Sequence, residues 1–207
     1  MRISVLPSLI VLGSCCAATP VVHAQSANAD NTSAATTLLS PQEAQRKIAG
    51  RARKVLLALR ANEMQKVAWY VNPDRGVRIS PYVAPTKRDQ VFYRSQVAQL
   101  PVGTQKYMWG HYDGSGSSIY LNWTEYRRRF VDATDFATGE VRYNTFIRRG
   151  NLNNRLRETY KNAIFVEFYK PGTAKYDNMD WRSLWLIFQR SGNQWYLSGI
   201  ANDQWTI

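Results

Sequence analysis

Between residues 40 and 60 the apolar positions recur at helical spacing, with Ala44, Ile48, Ala52, Val55, Leu56 and Leu59 on one stripe. Ser40-Pro41-Gln42-Glu43 leads into that stripe as a capping box with proline at the first helical position. The pattern predicts a helix over 41–59. A second helical stretch runs from Ala61 to about Tyr70 and stops ahead of Asn72-Pro73, because proline disfavours helix in the residue before it. Arg75-Gly76 then turns the chain into short extended pieces, Val77-Arg78-Ile79 and Tyr82-Val83.

Residues 105–112 read as a strand, and Asp113-Gly114-Ser115-Gly116 as the turn or loop that ends it. Asn122-Trp123-Thr124-Glu125 resembles another capping box, opening a short helix with Trp123, Tyr126, Phe130 and Val131 on one face and Arg127, Arg128 and Arg129 on the other. The last third is strand-like: Tyr143 to Ile147, Ala163 to Tyr169, Trp181 to Gln189, and Trp195 to Ile200, the last pair joined by Ser191-Gly192-Asn193 as a hairpin. Ile164-Phe165-Val166 and Leu184 to Phe188 are apolar at consecutive positions, so both faces of these strands need a cover. The N-terminal helix supplies one; a partner subunit or a pocket could supply the other. The expected class is α+β, with N-terminal helices packed on a curved antiparallel sheet.

Composition adds a compartment. Met1-Arg2 brings a positive charge, Ile3 to Leu12 is an almost unbroken apolar run, and Val22-His23-Ala24 is a small-x-small cleavage site. Residues 1–24 therefore read as a signal peptide, 25–39 as a flexible Ala/Ser/Thr/Asn-rich leader, and 40–207 as a single domain. Leu12-Gly13-Ser14-Cys15 resembles a bacterial lipobox, which leaves acylation at Cys15 as the alternative to cleavage after Ala24. On either route no intramolecular disulfide is expected. The 207-residue chain carries a formal charge of +12, and losing Arg2 with the signal takes it to +11. For an exported protein so basic a surface points to anionic envelope components or a small anionic ligand, not to nucleic acid. Membrane contact is expected only through the lipid anchor.

His111 is the one histidine outside the signal peptide; Asp113 shares its strand face if the strand persists, and the pair could act as a general base oriented by a carboxylate. An exposed histidine beside a turn aspartate is the plainer reading. Glu167 alternates with Phe165 and Tyr169, a setting in which its charge needs a cation, and Arg182 on a neighbouring strand is the expected one. Asp180, beside Trp181, is the other candidate acid–base carboxylate. Arg78, Tyr82, Asp113 and Arg182 are candidate ligand contacts. Arg127, Arg128, Arg129, Arg148 and Arg149, with Arg155 and Arg157, form a candidate anion-binding face interleaved with aromatics, or else a solvated basic surface.

Asp177, Asn178 and Asp180 lack EF-hand spacing, so no metal is expected, and no motif calls for a cofactor. The shortage of histidines, cysteines and glycine-rich loops favours a non-enzymatic binding module over a small pocket isomerase or hydrolase.

The order of elements, a long helix, a short one, then strands closing on a Trp-rich hairpin, resembles the cone-shaped fold of nuclear transport factor 2-like and ketosteroid isomerase-like proteins across roughly 41–207. Gly76-Val77-Arg78-Ile79-Ser80-Pro81-Tyr82, Trp109-Gly110-His111-Tyr112-Asp113-Gly114-Ser115-Gly116 and Met179-Asp180-Trp181-Arg182-Ser183-Leu184, with the C-terminal Asp203-Gln204-Trp205-Thr206-Ile207, are similar to motifs of a group of uncharacterised bacterial exported proteins and lipoproteins. The first resemblance implies a carboxylate proton acceptor and permits a homodimer through the open sheet face. The second brings no activity.

Overall fold

The structure, a computed structural model, describes residues 38–131 and 136–206. By internal contacts the chain divides into two units, Met1–Ser33 and Ala34–Ile207, and every described residue lies in the second. The signal peptide expected at 1–24, the alternative acylation site at Cys15 and the leader up to residue 37 lie outside the described residues.

Helix α1 (Pro41–Arg60) starts where the capping box dictates: Ser40 Oγ accepts from the Glu43 amide at 3.3 Å, and the Ser40 amide donates to Glu43 Oε2 at 3.0 Å. All six stripe residues are buried, joined by Ala58. Each large aliphatic among them contributes about 1.5–3 kcal/mol by leaving water. The helix ends because Asn62 adopts a left-handed backbone, φ 56°. The expected second helix is correspondingly short, α2 (Met64–Ala68).

Six strands make one sheet in the order β2-β1-β8-β7-β6-β5: β1 (Val77–Ser80), β2 (Gln90–Phe92), β5 (Glu140–Tyr143), β6 (Ala163–Lys170), β7 (Arg182–Ser191) and β8 (Gln194–Gln204). The expectation of a wholly antiparallel sheet needs correcting. β1 lies parallel to β8, Arg78 facing Gly199, so the sheet is mixed. β3 (Tyr107–His111) and β4 (Ser118–Leu121) form a separate antiparallel hairpin. Three further helices are short: α3 (Arg94–Gln99), α4 (Trp123–Tyr126), which continues as a π-helical turn to Val131, and α5 (Leu156–Thr159). The protein is α+β.

The strand expected at 143–147 sits earlier, at 140–143. Asn144, at φ 49°, takes the chain out of the sheet while its Oδ1 accepts from the Phe165 amide at 2.9 Å and its Nδ2 donates to the Leu39 carbonyl at 2.8 Å.

As the doubly apolar strands required, the sheet is covered twice. On one face Ile164, Val166, Phe168, Leu184 and Leu186 pack with α1 and with an aromatic group of Trp109, Trp123, Tyr126 and Phe130. Trp109 and Tyr126 stack with centroids 3.9 Å apart, and Tyr126 and Phe130 are 5.0 Å apart. On the other face Phe165, Trp185 and Ile187 meet Val83, Phe146, Leu152, Leu156 and Tyr160. The second cover is the chain's own 146–160 segment, where the sequence had suggested a partner subunit or a pocket.

Candidate functional site

The alternation of β6, β7 and β8 sends neighbouring residues to opposite faces, and two polar clusters result at the same end of the sheet. Glu167 is fully buried on the face under the 146–160 cover. It accepts from Arg149 Nη1 at 2.6 Å, Ser183 Oγ at 2.6 Å and Arg142 Nη1 at 3.2 Å. Arg142, its cross-strand partner, is shared with Glu140, and both guanidiniums lie over the Tyr169 ring, Arg149 at 4.0 Å and Arg142 at 4.8 Å. The expected neutralising residue, Arg182, does not reach Glu167. Its register partner on β6 is Lys170, an even-numbered position facing away from Glu167. Arg142 and Arg149 take the role.

Asp203, opposite Ser183 on β8, completes this cluster and was not singled out from the sequence. Burial first, and then the negative charge of Glu167, push its carboxyl up to about 7, against the pull of Arg149 and a backbone amide. Its Oδ1 has no hydrogen-bond partner among the described residues. A carboxyl in that setting keeps its proton near neutrality.

The second cluster is open. Lys170, Arg182 and Gln204 are consecutive register partners across β6, β7 and β8, and with Arg129, Met179, Asp180, Trp181 and Trp205 they line a cleft of about 450 Å³. Asp180 accepts from the Thr173 amide at 2.6 Å and from Thr173 Oγ1 at 2.9 Å; chiefly through that amide, its carboxyl lies below the usual aspartate range. It clamps the 173–180 loop at the rim. Among the described residues the Arg182 guanidinium has no hydrogen-bond or ion-pair partner. Trp205 is 38% exposed.

The other candidates are scattered. His111 is exposed at the end of β3, and because the strand stops there Asp113 falls in the turn, its amide donating to Tyr82 Oη at 3.2 Å. His111 and Tyr82 line a separate cavity of about 500 Å³ whose carboxylate, Asp89, is taken by Ser80 Oγ at 2.5 Å and Thr86 Oγ1 at 2.7 Å. Arg78 donates to the Thr86 carbonyl at 2.6 Å and projects from the sheet face opposite to Arg182, so the four proposed ligand contacts do not converge.

The arginine run does not form one face either. Arg127 donates to the Leu59 and Arg60 carbonyls at 3.2 and 2.7 Å, capping α1. Arg149 is committed to Glu167, Arg155 pairs with Glu158 at 2.8 Å, and Arg157 lies over Phe146. Arg128, Arg129 and Arg148 are exposed. Among the described residues no group of three or more His, Cys, Asp or Glu side chains could hold a metal ion, and no helix is long and apolar enough to cross a membrane.

No family model matches the chain, and no curated protein matches it. Among solved structures it is similar to a protein from Xanthomonas campestris assigned as a calcium/calmodulin dependent protein kinase II association domain, at 12% identity over 76% of this chain and 84% of that one, with a TM-score of 0.32. It is also similar to a protein of the NTF2-like family from Streptomyces avermitilis assigned as a dehydratase, at 7% identity over 81% of this chain and 100% of that one, with a TM-score of 0.31. Likeness this remote carries no argument about activity or ligand.

Proposed function

We propose that residues 40–207 form a nuclear transport factor 2-like, cone-shaped module of the cell envelope that binds an anionic ligand without chemistry, in the cleft of Arg129, Lys170, Arg182 and Gln204. The carrying observation is the Arg182 guanidinium, which has no hydrogen-bond or ion-pair partner among the described residues and shares its cleft with the exposed Arg129. An anion seated there gives both a charge-assisted partner. The fold part of the proposal is supported by the long capped helix on one face of a sheet that ends in the β7–β8 hairpin. The envelope part is supported by the 1–24 signal pattern.

The binding reading is favoured over an enzyme because the acid–base candidates are used otherwise: Glu167 is closed off by two arginines, Asp180 holds a loop, and His111 stands on a rim in another cavity. A homodimer through the second sheet face would have to displace the 146–160 cover. The mature chain should bind anionic vesicles containing lipid A at low ionic strength, with affinity falling as salt rises and lost in Arg182→Gln. Absence of binding at low salt overturns the anion reading. Mass spectrometry of the mature N-terminus separates cleavage after Ala24 from acylation at Cys15, and intact Met1 overturns the envelope location.

A further inference from the structure

The cleft at the end of the sheet holds more than cations. Gln204 Oε1 is shielded from solvent and has no hydrogen-bond partner among the described residues, although the residue lines the cleft. An orphan acceptor of this kind costs about 1–3 kcal/mol until a donor reaches it. The terminal amide torsion is broad, so rotation about it can turn Oε1 toward a donor in the cleft. A second acceptor stands on the rim, since the Asp180 carboxylate accepts two hydrogen bonds from Thr173 and has lone pairs to spare. Because its carboxyl lies below the usual range it stays charged at neutral pH. A site for a bare inorganic anion gains nothing from a carboxylate and an unpaired carbonyl beside its cations. A ligand with both a negative group and several hydroxyls uses all of them.

Two indole rings complete the match. Both line the cleft, Trp205 part-exposed and Trp181 buried. Such rings offer an apolar plate to the C–H face of a sugar, as amphipathic aromatics do wherever one side of a ligand is apolar and its edge is wet. The volume, about 450 Å³, falls within the range of small-molecule sites.

We infer that the anion taken by this cleft belongs to a saccharide, a refinement that rests on the anion-binding reading above. Arg182 and Arg129 hold the phosphate or carboxylate, Gln204 and Asp180 accept from hydroxyls, and Trp205 packs on the ring. The same chemistry is presented by a glycolipid headgroup and by a free or polymeric sugar acid.

The experiment titrates the mature chain with N-acetylglucosamine 1-phosphate, glucuronic acid, inorganic phosphate and uncharged N-acetylglucosamine, read by calorimetry and tryptophan emission. The charged sugars should bind at least tenfold more tightly than either phosphate or the neutral sugar. Gln204→Leu should cost the charged sugars fivefold or more and cost phosphate distinctly less, whereas Arg182→Gln should remove both. Trp205→Leu, with its thermal midpoint measured alongside, should weaken the sugars alone. Phosphate binding as tightly as the charged sugars, or a Gln204→Leu chain that binds both equally well, overturns the saccharide inference and leaves the anion reading standing. No binding of any of the anions overturns both. If the charged sugars bind, comparing them with lipid A vesicles separates a free sugar acid from a lipid headgroup.

Discussion

Replacing Asp203 by asparagine isolates one term in the pH dependence of stability. In the folded chain Asp203 is 6% exposed and its carboxyl is pushed up to about 7, from an ordinary value of 3.8, by burial and by Glu167. The groups facing it are Glu167, Ser183 and Arg149, the last from the segment that covers this face. Between those two pH values the folded state holds a proton that the unfolded state has released. Folding therefore binds protons, and stability falls as pH rises. The contribution is fully present below about pH 4 and gone above about pH 7.

Each pH unit of difference is worth about 1.4 kcal/mol, so the whole span amounts to about 4 kcal/mol for a group this buried. Asparagine has nearly the same shape and nothing to ionise. Urea unfolding of the mature chain and of Asp203→Asn at pH 4, 6 and 8 tests this. Carboxylates common to both cancel in the difference between the two chains. The variant should gain on the parent as pH rises, by up to about 4 kcal/mol from pH 4 to pH 8. Parallel stability curves for the two chains across that range would refute the assignment of a protonated Asp203.

Arg149→Met removes the shorter of two ion pairs to a fully buried carboxylate and should cost about 3–5 kcal/mol in chemical denaturation; hydrogen exchange should quicken over 144–160 before the rest of the domain. A loss below about 1 kcal/mol would mean that Arg142 alone suffices for Glu167. Gly199→Ala places a methyl 2.6 Å from the Tyr160 hydroxyl and should cost about 1–3 kcal/mol in a thermal melt, an unchanged midpoint showing that Tyr160 yields freely. His111→Ala, at an exposed position, should stay within about 0.5 kcal/mol of the parent and leave anion binding unchanged. A drop in affinity would move the site to the β3–β4 hairpin.

Local rules carried the reading where the determinants are local. The Ser40–Glu43 box and the Ala44-to-Leu59 stripe are features of one segment, and they settle α1 without tertiary help. The doubly apolar runs in β6 and β7 likewise announce two covers. What escaped depends on distant pairing. β1 and β8 lie more than a hundred residues apart and meet in parallel, which no pattern inside either strand encodes. β8 continues through Ala201 to Gln204 although asparagine and aspartate are poor strand formers; β7 supplies its ladder. Helix α3 is preceded by Tyr93, outside the usual capping residues, whose amide donates to Gln96 Oε1 at 2.8 Å.

The site was half legible for the same reason. That Glu167 would need a cation follows from its own strand. Which cation does not, because β6 and β7 are joined by residues 171–181, a connection too long to fix register as a tight turn would. With Lys170 opposite Arg182, strand alternation sends Arg182 away from Glu167 and brings Ser183 to it. The same alternation sends Asp203 to the covered cluster and Gln204 to the open cleft. A slip of one residue would exchange the two sets, placing an arginine under the cover and a buried acid in solvent.

Charge count is therefore a poor guide to which arginines are structural. Of the eight arginines between 127 and 157, Arg127 is spent on the end of α1, and Arg142 and Arg149 on Glu167. Arg182, outside that run, joins Arg129 in the cleft. Strand parity decides what each cation meets: Arg142 and Arg149 face Glu167 under the cover, whereas Arg129, Lys170 and Arg182 share the open cleft with Asp180. The proposed anion site rests on that second grouping.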